Sequence, residues 1–451
     1  MINPSNTNEN IMTNTLTPFQ KFICRACGHV YDETLGDPDG NLPAGTRFEH
    51  ISPDWQCPLC GVKKSDFEPY DDAQAAPTAV SEREHGVVII GAGLAGWAVV
   101  DALRALDKQI PITLITADTG DRYHKPMLSV AMSQNKTRKD LVRATGEQSA
   151  SDNAITLLAH THVRSIDPNA KVLLTTCGQL SYDKLVLAIG ANPIYPPSIP
   201  KEMAWHVNHL DKFGDLQHRL ATPKHVAIVG AGMVGVELAE DLINAGHTVS
   251  LIDMNPYPLS ALLPLVAGER ILSAIKDKGV NWLGHCIVKS VSKTDIGYQM
   301  TVLDQKNTMT THDVDEIVVA TGLSVDEQLL TQAGLVFHKN TGIVVDEKTL
   351  QTNVPDIHAL GDCISIDGMP CRYVAPHRPQ ATAIAHQILG LDGVYTHKPP
   401  MIRLKNKCIN VTANGSPVGV GEWRVIKDDD GEMSLEMLKG GEVVAKALIK
   451  R

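Results

Sequence analysis

Short apolar runs alternate with helical patterns along the chain from Gly86 onward. The runs 87–90 and 226–229 contain only aliphatic residues, and each is followed by a glycine-rich turn and then by apolar residues at helical spacing. Uninterrupted runs of this length are typical of strands that are buried on both faces, as in parallel sheets. The pattern therefore predicts an α/β body in which strands and helices alternate.

Three other segments have different patterns. Residues 1–20 are rich in Asn and Thr and lack hydrophobic periodicity, which predicts a disordered tail. Residues 73–85 have the composition of a flexible linker. Residues 391–451 contain short strand-like runs with a turn signal at Asp430 and Gly431, and we expect a small α+β C-terminal domain there.

Charge and composition exclude several classes of protein. A net charge of −10 argues against nucleic acid as a partner. No signal-peptide pattern opens the chain, and its most apolar stretch, 87–100, is too short and too rich in glycine to span a membrane. Outside one motif the cysteines are scattered, which suits a reducing cytoplasm: Cys177, Cys286, Cys363, Cys371 and Cys408. We therefore expect a cytoplasmic protein that does not itself cross a membrane.

Two identical Cys-x-x-Cys pairs stand near the start of the chain, Cys24 with Cys27 and Cys57 with Cys60. Two such pairs supply the four thiolates that a tetrahedral metal site needs. Soft, all-thiolate ligation suits either zinc or a single iron ion. The gap between the pairs is longer than the roughly 15–20 residues of a four-cysteine zinc module, which favours iron, although a structural zinc site remains the alternative.

The residues around these cysteines resemble rubredoxin over residues 21–72. The resemblance rests on Tyr31-Asp32, on the run from Pro53 to Pro58, and on the run from Gly61 to Phe67. Rubredoxins hold one iron ion, Fe3+ or Fe2+, in four cysteine thiolates and transfer single electrons. The segment also concentrates the aromatic residues of a chain that is otherwise poor in them, as expected for a small metal-stabilised domain: Phe22, Tyr31, Phe48, Trp55, Phe67 and Tyr70.

One glycine fingerprint occurs twice, each time between a strand-like run and a helical pattern. Its glycines permit a tight turn and a close approach of the backbone to a pyrophosphate, which then binds at the helix N-terminus. Two copies in this context predict two dinucleotide sites. The glycines are Gly91, Gly93 and Gly96 in the first copy and Gly230, Gly232 and Gly235 in the second.

Acidic residues after the next strands indicate which dinucleotide each site takes. Asp253 follows the run 249–252, where a carboxylate accepts bonds from a ribose 2′-hydroxyl and repels a 2′-phosphate. The second site is therefore predicted to prefer NADH, unless Asp253 only caps its loop. In the first site Thr116 stands where an acid is usual, and Asp118 is the candidate to replace it.

The segment 352–362 resembles the second flavin motif of pyridine-nucleotide–FAD oxidoreductases. The resemblance implies that Asp362 binds the ribitol or pyrophosphate of FAD, that Gly190 and Gly322 mark the crossings between domains, and that Glu237 belongs to the second fingerprint. The implied fold is a flavoprotein with two Rossmann-like dinucleotide domains. The resemblance implies that FAD binds to a domain formed by 86–205 plus 322–390 and that NADH binds to the inserted domain 206–321. Both follow an N-terminal rubredoxin domain.

The region that follows the first fingerprint helix indicates which branch of these oxidoreductases the chain resembles. Disulfide reductases carry a redox cysteine there, whereas this chain has no cysteine between Cys60 and Cys177. Instead, the run from Tyr123 to Ser129 resembles the Tyr-x-Lys-Pro-x-Leu-Ser signature of rubredoxin reductases. In that family the lysine, Lys125 here, lies beside the flavin, where a cation stabilises the anionic reduced form. The resemblance thus implies catalytic roles for Lys125 and Glu237.

Together these parts predict an NADH-dependent rubredoxin reductase fused to its own rubredoxin. NADH is the donor, FAD the intermediate, the fused iron centre the internal acceptor, and an external oxidase or hydroxylase the terminal acceptor. The rubredoxin patterns favour a membrane-bound alkane hydroxylase; the body equally resembles reductases serving flavodiiron oxygen or nitric oxide reductases. Alternatives are a flavoprotein with a partner-binding zinc ribbon, a ferredoxin reductase or a simple NADH oxidase.

Three smaller expectations concern single residues. If Arg403, Lys405 and Lys407 lie on a strand, they present three cations on one face, either as part of a docking surface for the acidic rubredoxin domain or as a charged edge strand. Cys363 is expected to pack in the core. His377 falls where the family passes a backbone turn under the flavin, so we expect its backbone to matter more than its imidazole.

Overall fold

The computed structural model describes residues 18–24, 30–37, 42–55, 57, 63–70, 86–399, 401–415, 417 and 421–451. The chain forms two compact units, Met1–Ala76 and Pro77–Arg451. The division falls within the range 73–85, which the sequence predicts as a linker. That range, and residues 1–17 of the predicted tail, lie outside the described residues.

The N-terminal unit is built on a three-stranded antiparallel sheet. Its central strand is Lys21–Cys24, flanked by Val30–Asp32 and Phe67–Tyr70. Two short 3-10 helices, Phe48–His50 and Lys64–Asp66, belong to the same unit. The small core contains aromatic side chains and two buried cysteines: Cys24, Tyr31, Phe48, Ile51, Cys57 and Phe67.

Ring contacts and one buried acid hold this small core together. Phe22 stacks on Phe48 with ring centroids 4.0 Å apart, and Trp55 lies 5.1 Å from Phe67. The buried carboxylate of Glu33 accepts hydrogen bonds from the backbone of Phe48, from Arg47 and from the backbone of Gln20. Burial alone would raise the pKa of Glu33, but these donors outweigh it and lower the pKa below its usual value.

The larger unit begins with a five-stranded parallel sheet. In spatial order its strands are Ile357–Ala359, Lys184–Leu187, Val87–Ile90, Ile112–Ile115 and Thr156–Leu158. The strand Val87–Ile90 is buried at every position, because it lies in the middle of the sheet. One of these strands comes from the range 322–390 and the others from 86–205, so the chain leaves this sheet and returns to it.

A second parallel sheet lies between the two parts of the first in the sequence. Its strands, in spatial order, are Asn281–Leu283, Thr248–Ile252, His225–Val229 and Glu316–Val319. The two crossings between the sheets pair with each other as Asn192–Pro193 and Leu323–Ser324, antiparallel. The α/β architecture with two parallel sheets expected from the apolar runs is confirmed.

The helices of this unit pack on the two parallel sheets or connect their parts. We number them in chain order as α1 Leu94–Leu106, α2 Arg138–Leu141, α3 Gly146–Asp152, α4 Leu210–Arg219, α5 Met233–Asn244, α6 Leu265–Asp277, α7 Glu327–Gln332 and α8 His377–Ile388. Short 3-10 helices occupy Lys125–Val130, Lys201–Met203 and Gly361–Cys363.

Smaller sheets complete the body, and their pairings are antiparallel except for the parallel pair Gly342–Val344 with Ile364–Ile366. One three-stranded sheet contains Gly178–Ser181, Val172–Thr175 and Val163–Asp167, and another contains Ile287–Lys293, Tyr298–Leu303 and Met309–Val314. Phe337–His338, Gly342–Val344, Ile364–Ile366 and Met369–Pro370 form a four-stranded sheet, and Arg122–Tyr123 pairs with Val142–Ala144.

The C-terminal part is a five-stranded antiparallel sheet. Its strands, in spatial order, are Ile402–Leu404, Asn410–Gly415, Glu442–Lys450, Glu432–Lys439 and Glu422–Asp428. All regular structure in the described part of 391–451 is strand, whereas we expected an α+β mixture. The reason is a period of two in side-chain burial, which is clearest in Glu432–Lys439, where alternate residues are buried.

Candidate functional site

The two glycine fingerprints fold into the same tight turn. Gly91 and Gly230 have φ values of +103° and +105°, a region that favours glycine. A Cβ atom on Gly96 would overlap the carbonyl oxygen of Gly91, and one on Gly235 would overlap that of Gly230. The first and third glycines are therefore required by the close packing of helix on strand.

The middle glycine of each turn faces open space instead. Gly93 caps the N-terminus of α1, and Gly232 caps that of α5. Among the described residues, no heavy atom outside the immediate turn lies within 4 Å of a Cβ built on either glycine. Each helix N-terminus therefore has room in front of it and free N–H groups that suit a pyrophosphate.

The crossings between the two parallel sheets lie side by side. Gly190 follows a strand of the first sheet and Gly322 follows a strand of the second. Their φ values are +66° and +105°. Directly beyond them the chain segments pair, and the backbone N–H of Ile194 donates to the carbonyl of Gly322 at 3.0 Å. The structure thus places both glycines at the entry and exit of the inserted sheet.

Asp253 accepts hydrogen bonds at both carboxylate oxygens, and one of these bonds comes from the second glycine turn. Oδ2 accepts from the backbone of Ala231 at 2.6 Å, and Oδ1 accepts from the backbone and the side chain of Asn255, both at 2.8 Å. A carboxylate has about four acceptor positions, so one remains for a ribose hydroxyl. The ribose contact of Asp253 stays a prediction, and the position of its side chain supports it.

Asp118 has more protein partners than the sequence suggested. Its Oδ1 accepts from Thr116 Oγ1 and the backbone of Gly120, and Oδ2 lies 2.8 Å from His209 Nε2. Burial opposes ionisation, but the bonds from His209, Thr116 and Gly120 outweigh it and lower the pKa of Asp118 to about 2. His209 caps α4, and its Nδ1 accepts from the backbone of Asp211, which leaves Nε2 to donate. Sequence reasoning missed this histidine, since no motif contains it.

Lys125 and Asp362 come together from distant parts of the sequence. Lys125 begins the 3-10 helix Lys125–Val130, and Asp362 lies in the turn Gly361–Cys363. The Lys125 Nζ is 3.3 Å from Asp362 Oδ2. The resemblance assigns both residues to the flavin, and the structure brings them into one half-buried ion pair.

His377 lies next to this pair at the start of α8. Its side chain is buried, and neither ring nitrogen has a hydrogen-bond partner among the residues that the structure describes. The ring lies close to the turn, since a Cβ atom built on Gly361 would be 3.4 Å from its Nε2. Burial lowers the pKa of His377, although Asp362 opposes this shift. A buried imidazole that has no hydrogen-bond partner among the described residues, beside Lys125 and Asp362, fits a site where a bound cofactor supplies the missing bond.

Glu237 lies elsewhere, on the buried face of α5. Its carboxylate accepts from Ser129 Oγ at 2.6 Å and from the backbone of Lys405 at 3.1 Å, and it pairs with the ammonium of Lys405 at 2.8 Å. A catalytic role for Glu237 stays a prediction. The expected strand face with three cations is wrong, because the strand ends at Leu404 and the Lys405 ammonium turns inward to Glu237.

Two of the four motif cysteines can be placed. Cys24 and Cys57 are both buried in the core of the N-terminal unit, while Cys27 and Cys60 lie outside the described residues. Within the described part of the chain, no cluster of three or more His, Cys, Asp or Glu side chains could hold a metal. Cys363 is fully buried, and this burial raises its pKa to about 12, as expected for a packing residue.

Residues 85–388 match the family of pyridine nucleotide-disulphide oxidoreductases, and residues 21–67 match rubredoxin. The chain belongs to the pyridine nucleotide-disulphide oxidoreductase family. Relatives include the nitric oxide reductase FlRd-NAD(+) reductases of Salmonella schwarzengrund, 33% identical, and Pectobacterium atrosepticum, 35% identical. Each alignment covers 80% of this chain, and 94% and 96% of the respective relative.

Solved structures of this oxidoreductase family show the same fold. The covalent putidaredoxin reductase–putidaredoxin complex aligns with a TM-score of 0.71 at 24% identity, covering 82% of this chain and 90% of that one. The NADH:rubredoxin oxidoreductase of Clostridium acetobutylicum aligns with a TM-score of 0.67 at 21% identity, covering 82% and 92%.

The protein is therefore an FAD-dependent NAD(+) reductase with a rubredoxin domain at its N-terminus. Membership in the two families implies FAD and NADH for the body and iron for the rubredoxin domain. In the described part of the chain, none of the helices has the length and apolar character needed to cross a membrane.

Proposed function

We propose that this oxidoreductase transfers electrons from NADH through FAD to the iron of its own rubredoxin domain, and from there to an external protein. The observation that carries the proposal is the presence of both partners in one chain, a reductase body at 85–388 and a rubredoxin at 21–67. Holding donor and acceptor on one short linker raises their effective concentration to about the millimolar range.

The residues of the body have separable parts in this reaction. The turns at Gly93 and Gly232 hold the two pyrophosphates at the N-termini of α1 and α5, and Asp253 selects NADH. The Lys125 ammonium, oriented by Asp362, provides positive charge beside the site where negative charge develops. Bound FAD supplies the exchange between the two-electron oxidation of NADH and the one-electron reduction of iron.

Anaerobic titration of the full-length protein with NADH tests the central step. We expect the ferric-thiolate absorbance and the flavin absorbance both to bleach, with iron rather than zinc in the metal analysis. The variant Cys24→Ser is the control, because it should lose the iron signal while its flavin is still reduced. If the wild-type flavin bleaches and the iron absorbance stays unchanged, electron transfer within the chain is refuted.

The linker gives an independent test. Residues 18–72 and 86–451 would be produced as separate chains and mixed in equal amounts. We expect iron reduction to slow strongly at micromolar concentration and to recover as the concentration approaches the millimolar range. A rate that is the same for the fused and the separated chains would contradict the role of the linker.

Two terminal acceptors have separate support. The names of the relatives, nitric oxide reductase FlRd-NAD(+) reductases, favour a flavodiiron protein that reduces nitric oxide or oxygen, and we propose this acceptor first. The sequence pattern of the rubredoxin domain favours an alkane hydroxylase, which would place the reductase at a membrane surface. A cytoplasmic location fits both, since the scattered thiols suit a reducing compartment.

Purified acceptors distinguish these two proposals. NADH oxidation by the full-length protein is measured with a flavodiiron protein plus nitric oxide, and with alkane hydroxylase membranes plus alkane. The first proposal requires consumption of nitric oxide or oxygen that depends on both proteins and fails with Cys24→Ser. Turnover with the hydroxylase alone would instead support alkane oxidation.

A further inference from the structure

Three buried carboxylates on α5 connect the second dinucleotide turn to two distant segments. Asp241 accepts from the backbones of Met132 and Ser133, and Glu240 accepts from the backbones of Lys407 and Cys408. Glu237 accepts from Ser129 and Lys405. The helix that follows the NADH fingerprint is thus bonded to segment 129–133 of the flavin part and to segment 405–408 of the C-terminal part.

The Lys405 ammonium occupies the centre of this junction. It lies 2.8 Å from Glu237 Oε2 and 2.7 Å from Ser129 Oγ, and it also donates to the carbonyl of Pro126. Pro126 and Ser129 belong to the 3-10 helix that begins with Lys125. One cation from the C-terminal part therefore contacts this helix next to Lys125 and again near its other end.

We propose that Lys405 is a positioning residue for Lys125. By bonding to Pro126 and Ser129, it fixes the short helix that presents the Lys125 ammonium to the flavin. Its own charge neutralises Glu237, a buried carboxylate that would otherwise oppose the positive charge of Lys125. The inference deepens the proposed function, because it depends on Lys125 lying beside the flavin.

The physical reason lies in the geometry of a short helix. A 3-10 helix has few internal hydrogen bonds, so its position depends on contacts with its surroundings. Without Lys405, the buried carboxylate of Glu237 loses its cationic partner, which is unfavourable, and the Pro126 carbonyl loses a donor. We expect the Lys125 segment to shift. Misplacement of a reacting group by about 1 Å can lower a rate by about a hundredfold.

The test measures the midpoint potential of bound FAD in the full-length variant Lys405→Met by spectroelectrochemical titration. We expect the potential to fall, because a misplaced Lys125 stabilises the anionic reduced flavin less. In NADH-driven reduction of ferricyanide, kcat should fall by about tenfold or more, with a smaller change in KM. Lys405→Arg keeps the cation and should restore most of the potential.

Lys407→Met is the matched control. It removes the same charge two residues away, but the Lys407 side chain is exposed and its contact to Glu240 uses the backbone N–H. The control should leave the potential and kcat unchanged. If it lowers the potential as much as Lys405→Met does, the effect is one of general charge, and the positioning role is refuted.

A double-mutant cycle with Lys125→Met separates positioning from a purely structural role. If Lys405 acts through Lys125, its removal should change the potential much less in the Lys125→Met background. Additive shifts, or a loss of thermal stability with an unchanged potential, would overturn the proposal. If Lys405→Met does not fold, Ser129→Ala removes the bonds of Ser129 to Lys405 and Glu237 and should give a smaller fall in potential; no fall there would likewise overturn the proposal.

When both are measured in the Cys24→Ser background, the ferricyanide assay and the flavin potential do not depend on the rubredoxin iron. A failure of iron reduction with normal flavin properties would therefore count against the proposed function alone. An unchanged flavin potential in Lys405→Met, with normal iron reduction, would count against the positioning role alone.

Discussion

Adding a single methyl group to the middle glycine of each turn tests both dinucleotide assignments at once. Gly93 and Gly232 have extended backbones, with φ of −74° and −70°, which alanine adopts without strain. The Cβ atom of an alanine would project into space that is empty of the described protein atoms within 4 Å. Gly93→Ala and Gly232→Ala should therefore fold as the wild type does, with stability changed by less than about 0.5 kcal/mol.

The same methyl group occupies the space assigned to a pyrophosphate. Overpacking of a filled site costs about 1–3 kcal/mol, and about 1.4 kcal/mol corresponds to a tenfold change in affinity. Gly93→Ala should then weaken FAD binding by roughly 5- to 150-fold. Gly232→Ala should retain FAD and raise the KM for NADH by a similar factor.

FAD affinity is measured by fluorescence titration of the apoprotein, KM by steady-state ferricyanide reduction, and folding by thermal unfolding of the apoprotein. Gly96→Ala is the contrasting variant, because its Cβ would overlap the Gly91 carbonyl and it should lower the unfolding temperature. The reasoning is refuted if Gly93→Ala binds FAD normally, or if the two alanine variants exchange their effects.

Three further outcomes follow from single side chains. Asp253→Ala should lower kcat/KM for NADH by about tenfold and improve the use of NADPH, because a hydrogen-bond acceptor and its charge are lost; an unchanged NADH-to-NADPH ratio would exclude Asp253 from cofactor selection. Because folding lowers the pKa of Glu33, this residue stabilises the N-terminal unit at pH values above its unfolded pKa of 4.5. The stabilisation is lost as the pH falls through the lower pKa of the folded state. Glu33→Gln should thus destabilise the N-terminal unit by about 1.5–3 kcal/mol at pH 7. In thermal melts at a series of pH values, the unfolding temperature of the variant should fall less steeply with acid than that of the wild type. If the two pH profiles are parallel, Glu33 does not contribute in this way. His377→Leu should leave the apoprotein as stable or more so, since it removes a buried ring without a hydrogen-bond partner in the described part of the chain, while weakening FAD binding by about tenfold. Equal effects on the stability of the apo and holo forms would show that the imidazole does not contact the cofactor.

Sequence reasoning succeeded where the signal was local. The glycine turns and their flanking strands depend on neighbouring residues, so the pattern around Gly91 and Gly230 was enough to predict two parallel α/β sheets. The resemblance to rubredoxin reductases selected Lys125 and Asp362 separately, and the structure pairs them. Their spacing in the sequence does not predict this pair. The whole inserted sheet lies between Lys125 and the strand that precedes Asp362 and returns to the first sheet.

Contacts made across the tertiary structure could not be predicted in this way. The apolar alternation around Lys405 suggested a cation on an exposed strand face, but the strand ends one residue earlier and the side chain turns toward Glu237. His209 belongs to no motif, and its bond to Asp118 exists only because α4 begins beside the first sheet. A buried carboxylate such as Glu237 pairs with a cation that the fold brings close, and that cation can come from any part of the sequence.

The paired crossings near Gly190 and Gly322 have a consequence for how such proteins can be modified. Ile194 donates to Gly322, and Thr321 donates back to Ile194, so the two ends of the intervening stretch of about 130 residues, 193–321, are already joined. That stretch could be replaced by the equivalent piece of a relative, provided that the replacement keeps the α5 carboxylates that bond to segments 129–133 and 405–408. If Asp253 selects the nucleotide as proposed, such an exchange would move the nucleotide preference with the inserted stretch and leave the first parallel sheet unchanged.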